Sequence, residues 1–108
     1  MFSFFKNISL KRRLIKTLER LKFKKENPNS KLYGHFTSVE FYETQEYTIY
    51  GVGDVQIREY KKDKKIVLFK DQKQQMALRD GKTNCIMNIK YLNKIFDKID
   101  DVTNNDTR

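Results

Sequence analysis

A chain of 108 residues with 38% hydrophobic content, eight Phe and six Tyr has the size of one small domain with a thin, aromatic-rich core. Its charge is lopsided: residues 1–25 hold nine Lys or Arg against the single acid Glu19, and so carry eight of the nine net positive charges. The lone cysteine excludes an intramolecular disulfide and a multi-thiolate metal site and favours a reducing compartment, nuclear or cytoplasmic; no apolar run approaches the ~20 residues of a membrane-spanning helix.

From the N-terminus, Ile8, Leu10, Leu14, Ile15, Leu18 and Leu21 recur at three- and four-residue intervals. That spacing predicts an amphipathic helix with these side chains on one face. Ser9 is the expected N-cap, and Asn27-Pro28-Asn29-Ser30 the stop. The opposite face is expected to carry Arg12, Arg13, Lys16 and Arg20, with Lys11 near the apolar stripe. Residues 1–30 thus read as a basic helical arm and turn. Its candidate polyanion-binding residues are Lys11, Arg12, Arg13, Lys16, Arg20, Lys22, Lys24 and Lys25.

Several readings of this helix compete. In the plainest, the apolar stripe docks on the rest of the chain and the cations face water. In the others the cations meet an acidic partner: nucleic acid, where each would neutralise a phosphate and release counterions; the surface of an anionic membrane, aided by the aromatics of Met1-Phe2-Ser3-Phe4-Phe5; or a transport receptor. For the last, Lys11-Arg12-Arg13 with Lys22, Lys24 and Lys25 resembles a bipartite nuclear localisation signal. An organellar transit peptide ranks last, since Lys outnumbers Arg and Ser is sparse.

Beyond the turn the period changes to two. Phe36, Val39 and Phe41, then Tyr47 and Ile49, Val55 and Ile57, Ile66 and Leu68, and Met76 and Leu78 predict about four to six antiparallel strands. Lys61-Lys62-Asp63-Lys64-Lys65 reads as a charged hairpin turn and Arg79-Asp80-Gly81-Lys82 as another. From Ile89 to Ile99 the spacing is helical again, with Ile89, Leu92, Ile95, Phe96 and Ile99 as a stripe able to cap the sheet. The expected class is α+β, with Phe41, Tyr47, Val55, Ile57, Ile66, Leu68 and Phe96 in the core. Residues 31–100 form the body, expected to fold without residues 1–25, and 101–108 a polar tail.

One stretch carries more than periodicity. Glu46-Tyr47-Thr48-Ile49-Tyr50-Gly51-Val52-Gly53-Asp54-Val55-Gln56-Ile57, followed in the same register by Lys65-Ile66-Val67-Leu68, resembles the Ran-binding domain family. That signature reads Glu-Trp-Lys-Glu-Arg-Gly-Val-Gly-Asp-Val-Lys-Ile and then a Lys-Ile-Arg-Leu strand. Val39-Glu40-Phe41 upstream and Lys70-Asp71-Gln72 downstream extend the likeness over roughly residues 36–75. Tyr47 stands where the family has Trp, Tyr50 replaces an Arg, and Thr48-Ile49 replaces Lys-Glu. The resemblance implies a bent antiparallel sheet or partial pleckstrin-homology-like barrel with a C-terminal capping helix. It also implies binding of the small GTPase Ran, or of another nuclear-transport protein, through Tyr47, Gly51, Gly53, Asp54 and Lys65. Taken without the family, the two glycines around Val52 indicate a bulge, a sharp bend or simply a kinked hairpin.

Nothing points to catalysis, a cofactor or a metal. His35 is the only histidine, and Cys85 lies in the strand-like run Thr83-Asn84-Cys85-Ile86-Met87, where a small buried residue is expected rather than a nucleophile. Asp97, Asp100 and Asp101 read as a solvated acidic patch. Lys61 to Lys65 beside Tyr60 form a second anion contact with an aromatic for base stacking, or a hairpin tip that keeps a sheet soluble. Two function classes follow: a non-catalytic interaction module of the Ran-binding kind, and a small RNA- or ribosome-associated protein that binds through its basic helix.

Overall fold

The computed structural model describes residues 2–30, 39–86 and 88–104. In chain order the elements are α1 (Phe2–Glu26), β1 (Val39–Glu43), β2 (Tyr47–Val52), β3 (Val55–Tyr60), β4 (Ile66–Lys70), β5 (Lys73–Arg79), β6 (Lys82–Cys85) and α2 (Ile89–Asn104). The six strands pair antiparallel in sequence order, β1 and β6 at the two edges. The protein is therefore α+β with an open sheet, not a closed barrel. Phe36 and His35 lie outside the described residues, as do Met87 and residues 105–108.

No glycine or proline interrupts residues 1–27, so nothing stops the first helix from extending back to Phe2, and Ser9 sits inside it instead of capping it. The helix ends where the Asn27 backbone N–H donates to the Phe23 carbonyl (2.8 Å), joined by the Asn27 side-chain amide (3.0 Å). Pro28 follows immediately. The helix is not an appendage. Leu10, Leu14, Leu18 and Leu21 are at most 4% exposed and share one cluster with Tyr50, Val52, Val55, Ile57, Ile66, Leu68, Met76 and Leu78 of the sheet and Leu92, Ile95, Phe96 and Ile99 of α2. The segments on either side of residue 30 thus share one core.

Both helices cover the same face of the sheet. Side chains alternate along a strand, and the register aligns Phe41, Tyr50, Ile57, Leu68, Met76 and Cys85 across the six strands on that covered face. In β2 the core stripe is Thr48, Tyr50 and Val52, all buried. Tyr47 and Ile49 consequently point to the other face and are half-buried. The expectation of Tyr47 in the core is wrong by one residue of phase, which in a strand exchanges the faces. Phe41 lies half-buried at the margin of the core, its ring edge-on to Tyr50 at 5.9 Å.

The turns follow local chemistry. Gly53 (φ +61°) and Asp54 form a two-residue hairpin turn between β2 and β3; that turn, not a bulge, accounts for Gly53. Gly51 is an ordinary strand residue. Asp80 (φ +52°) and Gly81 (φ +76°) make the second expected turn. Asp71 (φ +53°) and Gln72 (φ +66°) make a third without glycine. The bulge lies further on: Leu68 pairs with Met76 and Phe69 with Gln74, leaving Gln75 extra. Its buried amide nitrogen donates to the Lys73 carbonyl at 2.9 Å. Helix α2 opens with the Asn88 side-chain oxygen accepting the Tyr91 N–H at 2.8 Å and runs five residues past the predicted end, so the presumed tail is helical as far as Asn104.

Candidate functional site

The basic helix is the first candidate surface, and most of its cations face acids of the same chain. Arg13 donates to Asp97, to Asp100 at 3.0 Å and to the Asn93 side chain at 2.9 Å; Arg20 also pairs with Asp100. Hydrogen bonds and charge from Asp97 and Asp100 outweigh the lowering by burial and raise the Arg13 pKa. Lys22 reaches Glu59 at 2.8 Å and Lys25 reaches Glu43 at 3.0 Å. Lys25 and Lys61 hold the Glu43 carboxyl below the usual carboxylate range. Lys24 is buried, its ammonium donating to the Ser30 carbonyl. Only Lys11, Arg12 and Lys16 of the eight predicted polyanion contacts are without an ion pair or a buried ammonium among the described residues. Asp97 and Asp100 are correspondingly ion-pair partners rather than a solvated acidic patch. Between the helices lies a groove of about 470 Å³ lined by Arg13, Lys16, Thr17, Glu19, Arg20 and Asp100.

The uncovered face of the sheet differs in character. Tyr47 of β2 stands directly opposite Tyr60 of β3, their rings 5.3 Å apart and edge-on. Arg58, two residues before Tyr60, lays its guanidinium 5.1 Å from the Tyr47 ring and 4.7 Å from the Phe69 ring of β4. Tyr60, Tyr47, Arg58 and Phe69 therefore make one continuous chain of flat groups across three strands. All four are half-buried, and the Arg58 Nε is buried without a hydrogen-bond partner. Val67 and Ala77 beneath them are buried outside the main core cluster.

The two ends of this face carry different charge. At the Tyr47–Tyr60 end the β3–β4 hairpin presents Lys62, Lys64 and Lys65, none in an ion pair among the described residues; the Lys65 ammonium lies 6.0 Å from the Tyr60 ring. Lys61 is tied to Glu43 at 3.4 Å and Arg79 to Asp63 at 3.5 Å. At the other end two depressions flank Gln56. One, of about 360 Å³, is bounded by Glu40, Tyr42, Ile49 and Gly51. The other, of about 500 Å³, is bounded by Asp54, Arg58, Phe69, Asp71 and Gln72. Gly51 leaves a gap because it has no side chain, and a Cβ built there would meet Glu40 atoms no closer than 3.7 Å.

The five positions drawn from the family resemblance lie along the β2–β3 hairpin and its neighbour without forming one cluster. Tyr47 and Lys65 belong to the aromatic, basic end, and Gly51, Gly53 and Asp54 to the far end. Arg58 and Phe69 are the site residues that sequence reading missed; their signal is the alternation of β3 and β4, in which Arg58 and Phe69 fall between core residues. Cys85 sits half-buried in edge strand β6, and burial pushes its thiol pKa up. Among the described residues no group of three or more His, Cys, Asp or Glu is placed to hold a metal ion, and no helix is long and apolar enough to cross a membrane. No protein-family model, curated protein or solved structure matches the chain.

Proposed function

We propose that this protein is a non-catalytic binding module that engages its partner on the uncovered face of the sheet. The carrying observation is the arrangement of the layers. The described side chains of both helices in the core cluster lie on one face, and the other bears Tyr47, Tyr60 and Phe69, each half-buried, around Arg58. Aromatic side chains and Arg are the groups most enriched where binding energy concentrates. On α1, by contrast, Arg13, Arg20, Lys22 and Lys25 are already paired with acids of the same chain, which weakens the case for that helix as the main anion contact.

The test compares two full-length double variants, Tyr47→Ser/Phe69→Ser on the open face and Arg12→Glu/Lys16→Glu on α1. Two kinds of probe match the two function classes: Ran loaded with a non-hydrolysable GTP analogue, and a single-stranded nucleic acid, taken as RNA and as DNA. Whichever probe the unmodified chain binds should lose at least about tenfold in affinity with the first variant and less than about threefold with the second. Binding that follows the α1 variant, or binding of neither kind of probe, refutes the reading.

A further inference from the structure

Resting on the open face as the binding surface, we infer that its ligand is a single-stranded nucleic acid whose bases stack on Tyr60, Tyr47 and Phe69 while its phosphates run beside the β3–β4 hairpin. Three features support this. The first is the continuity of flat groups: successive centre-to-centre spacings of 5.3, 5.1 and 4.7 Å from Tyr60 through Tyr47 and Arg58 to Phe69. Every base has a π-face, so such a platform accepts unpaired bases of any sequence, and its extent over three strands suits about two or three of them. A duplex hides those faces in its own stack and has little to offer here.

The second feature is charge complementarity. Lys62 and Lys64 are exposed and Lys65 half-buried, and none is neutralised by an acid of the chain among the described residues. They border the Tyr47–Tyr60 end, where the phosphates adjoining a stacked base must pass. Lys82, on the same face of β6 and opposite Arg79, extends the basic margin. Of the acids at that end, Asp63 holds Arg79 and Glu43 holds Lys25 and Lys61, which leaves Glu46, next to Tyr47, as an exposed acid set against these lysines. Glu40, Asp54 and Asp71 lie at the opposite end. The hairpin end is thereby the more favourable one for a polyanion, while a base reaching the depressions beside Gln56 meets hydrogen-bonding groups, with Arg58 as the cation in their lining.

The third feature is Arg58. Its guanidinium lies against both Tyr47 and Phe69, and its buried Nε has no partner. Held between two rings, it is fixed in orientation, which suits it to lie beside a phosphate of a strand stacked on those rings.

The experiment uses the full chain and fluorescein-labelled twelve-nucleotide probes of mixed sequence: single-stranded RNA, single-stranded DNA, and the RNA duplex. Tyr47→Leu, Tyr60→Leu and Phe69→Leu keep apolar bulk and remove the stacking surface, and each is checked for an unchanged far-ultraviolet spectrum and melting temperature. Affinity for one of the single strands at least about tenfold above the duplex is expected, with a loss of about five- to a hundredfold in each Leu variant. Lys62→Gln/Lys64→Gln should lower the slope of log affinity against log salt by about 1.4. The chain has no Trp, so quenching of its tyrosine emission by the single strand reports stacking directly. If Ran binds through the open face and neither single strand does, the ligand assignment fails and the module survives. If a single strand binds but its affinity follows only Arg12→Glu/Lys16→Glu, both fail. A polyglutamate peptide of equal charge that binds as tightly shows that charge alone holds the ligand, and also overturns the inference.

Discussion

Removing α1 should unfold the protein, and the size of the effect follows from the four leucines it contributes. Leu10, Leu14, Leu18 and Leu21 are each at most 4% exposed. Full burial of such a side chain is worth roughly 1.5–3 kcal/mol, so the four together supply about 6–12 kcal/mol. A domain of this kind has a total stability of about 5–15 kcal/mol. The same deletion bares the apolar faces of the sheet and of α2 that α1 covers, and leaves Asp97, Asp100, Glu43 and Glu59 without their α1 cations. Residues 27–108 alone should therefore show no cooperative urea transition and no fixed near-ultraviolet tyrosine signal. A milder perturbation grades the claim: Leu14→Ala in the full chain should cost about 2–5 kcal/mol. With a urea dependence of about 1–2 kcal/mol per molar, the unfolding midpoint then falls by about 1–5 M. A truncated chain that keeps the tertiary signal and unfolds at an unchanged midpoint would show that the helix merely leans on a self-sufficient sheet, and would refute the single-core account.

Three further predictions address positions where local geometry decides. Gly53→Ala should destabilise by about 1–2 kcal/mol because its φ of +61° is unfavourable for a residue with a Cβ, whereas Gly51→Ala, with room for a methyl group, should be neutral or stabilising by up to about 1 kcal/mol; equal losses at both sites in urea unfolding would contradict the turn assignment. Burial raises the Cys85 thiol pKa, lowering the thiolate fraction at a given pH, so alkylation by iodoacetamide in the native protein should be slower than in urea, and an equal or faster native rate would count against a half-buried thiol. Glu43 has a carboxyl pKa lowered by Lys25 and Lys61; its contribution is present above its unfolded-state pKa and lost as pH falls through the folded value, so the stability difference between the native chain and Glu43→Gln should shrink on acidification, and a difference independent of pH would dissolve that ion-pair network.

Much of the fold is legible in the sequence because periodicity and turn chemistry agree there. Val55 and Ile57 are apolar on one phase only, and Ile66 and Leu68, and Met76 and Leu78, lie in register with that phase; all six are buried. The Asp80-Gly81 turn carries its own signature. Strand β2 is different: Tyr47, Ile49 and Tyr50 are apolar on both phases, so alternation alone does not choose a face, and the decision comes from pairing Tyr50 with Ile57 and Phe41. That ambiguity also hid the candidate site, since taking Tyr47 as core removes one wall of the Arg58 cluster. The Asp71-Gln72 turn went unseen for a related reason: both residues adopt positive φ without a glycine to announce it. Nor does charge counting show that Asp97 and Asp100, more than eighty residues downstream, lie against Arg13.

The lopsided charge and the open face bear on each other through those long-range pairs. A helix with nine bases in or near it invites the inference that it meets an external polyanion, yet a helix whose apolar stripe must be buried also brings its flanking cations against whatever shares the core. Here α2 and the strand ends supply acids at those flanks: Asp97 and Asp100 on one side, Glu59 and Glu43 on the other. Such half-exposed pairs contribute little to stability one by one, but they remove the paired cations from competition for an external anion. The hairpin lysines are placed otherwise. Lys62 and Lys64 project from a turn, where no neighbouring element among the described residues supplies an acid in an ion pair with them, and they flank the sheet face that carries Tyr47, Tyr60 and Phe69 where an antiparallel sheet normally meets water with polar side chains. The free charge and the uncovered π-surface thus coincide at Tyr47 and Tyr60, and it is that coincidence, more than the total charge of the chain, that directs the search for a partner to the sheet.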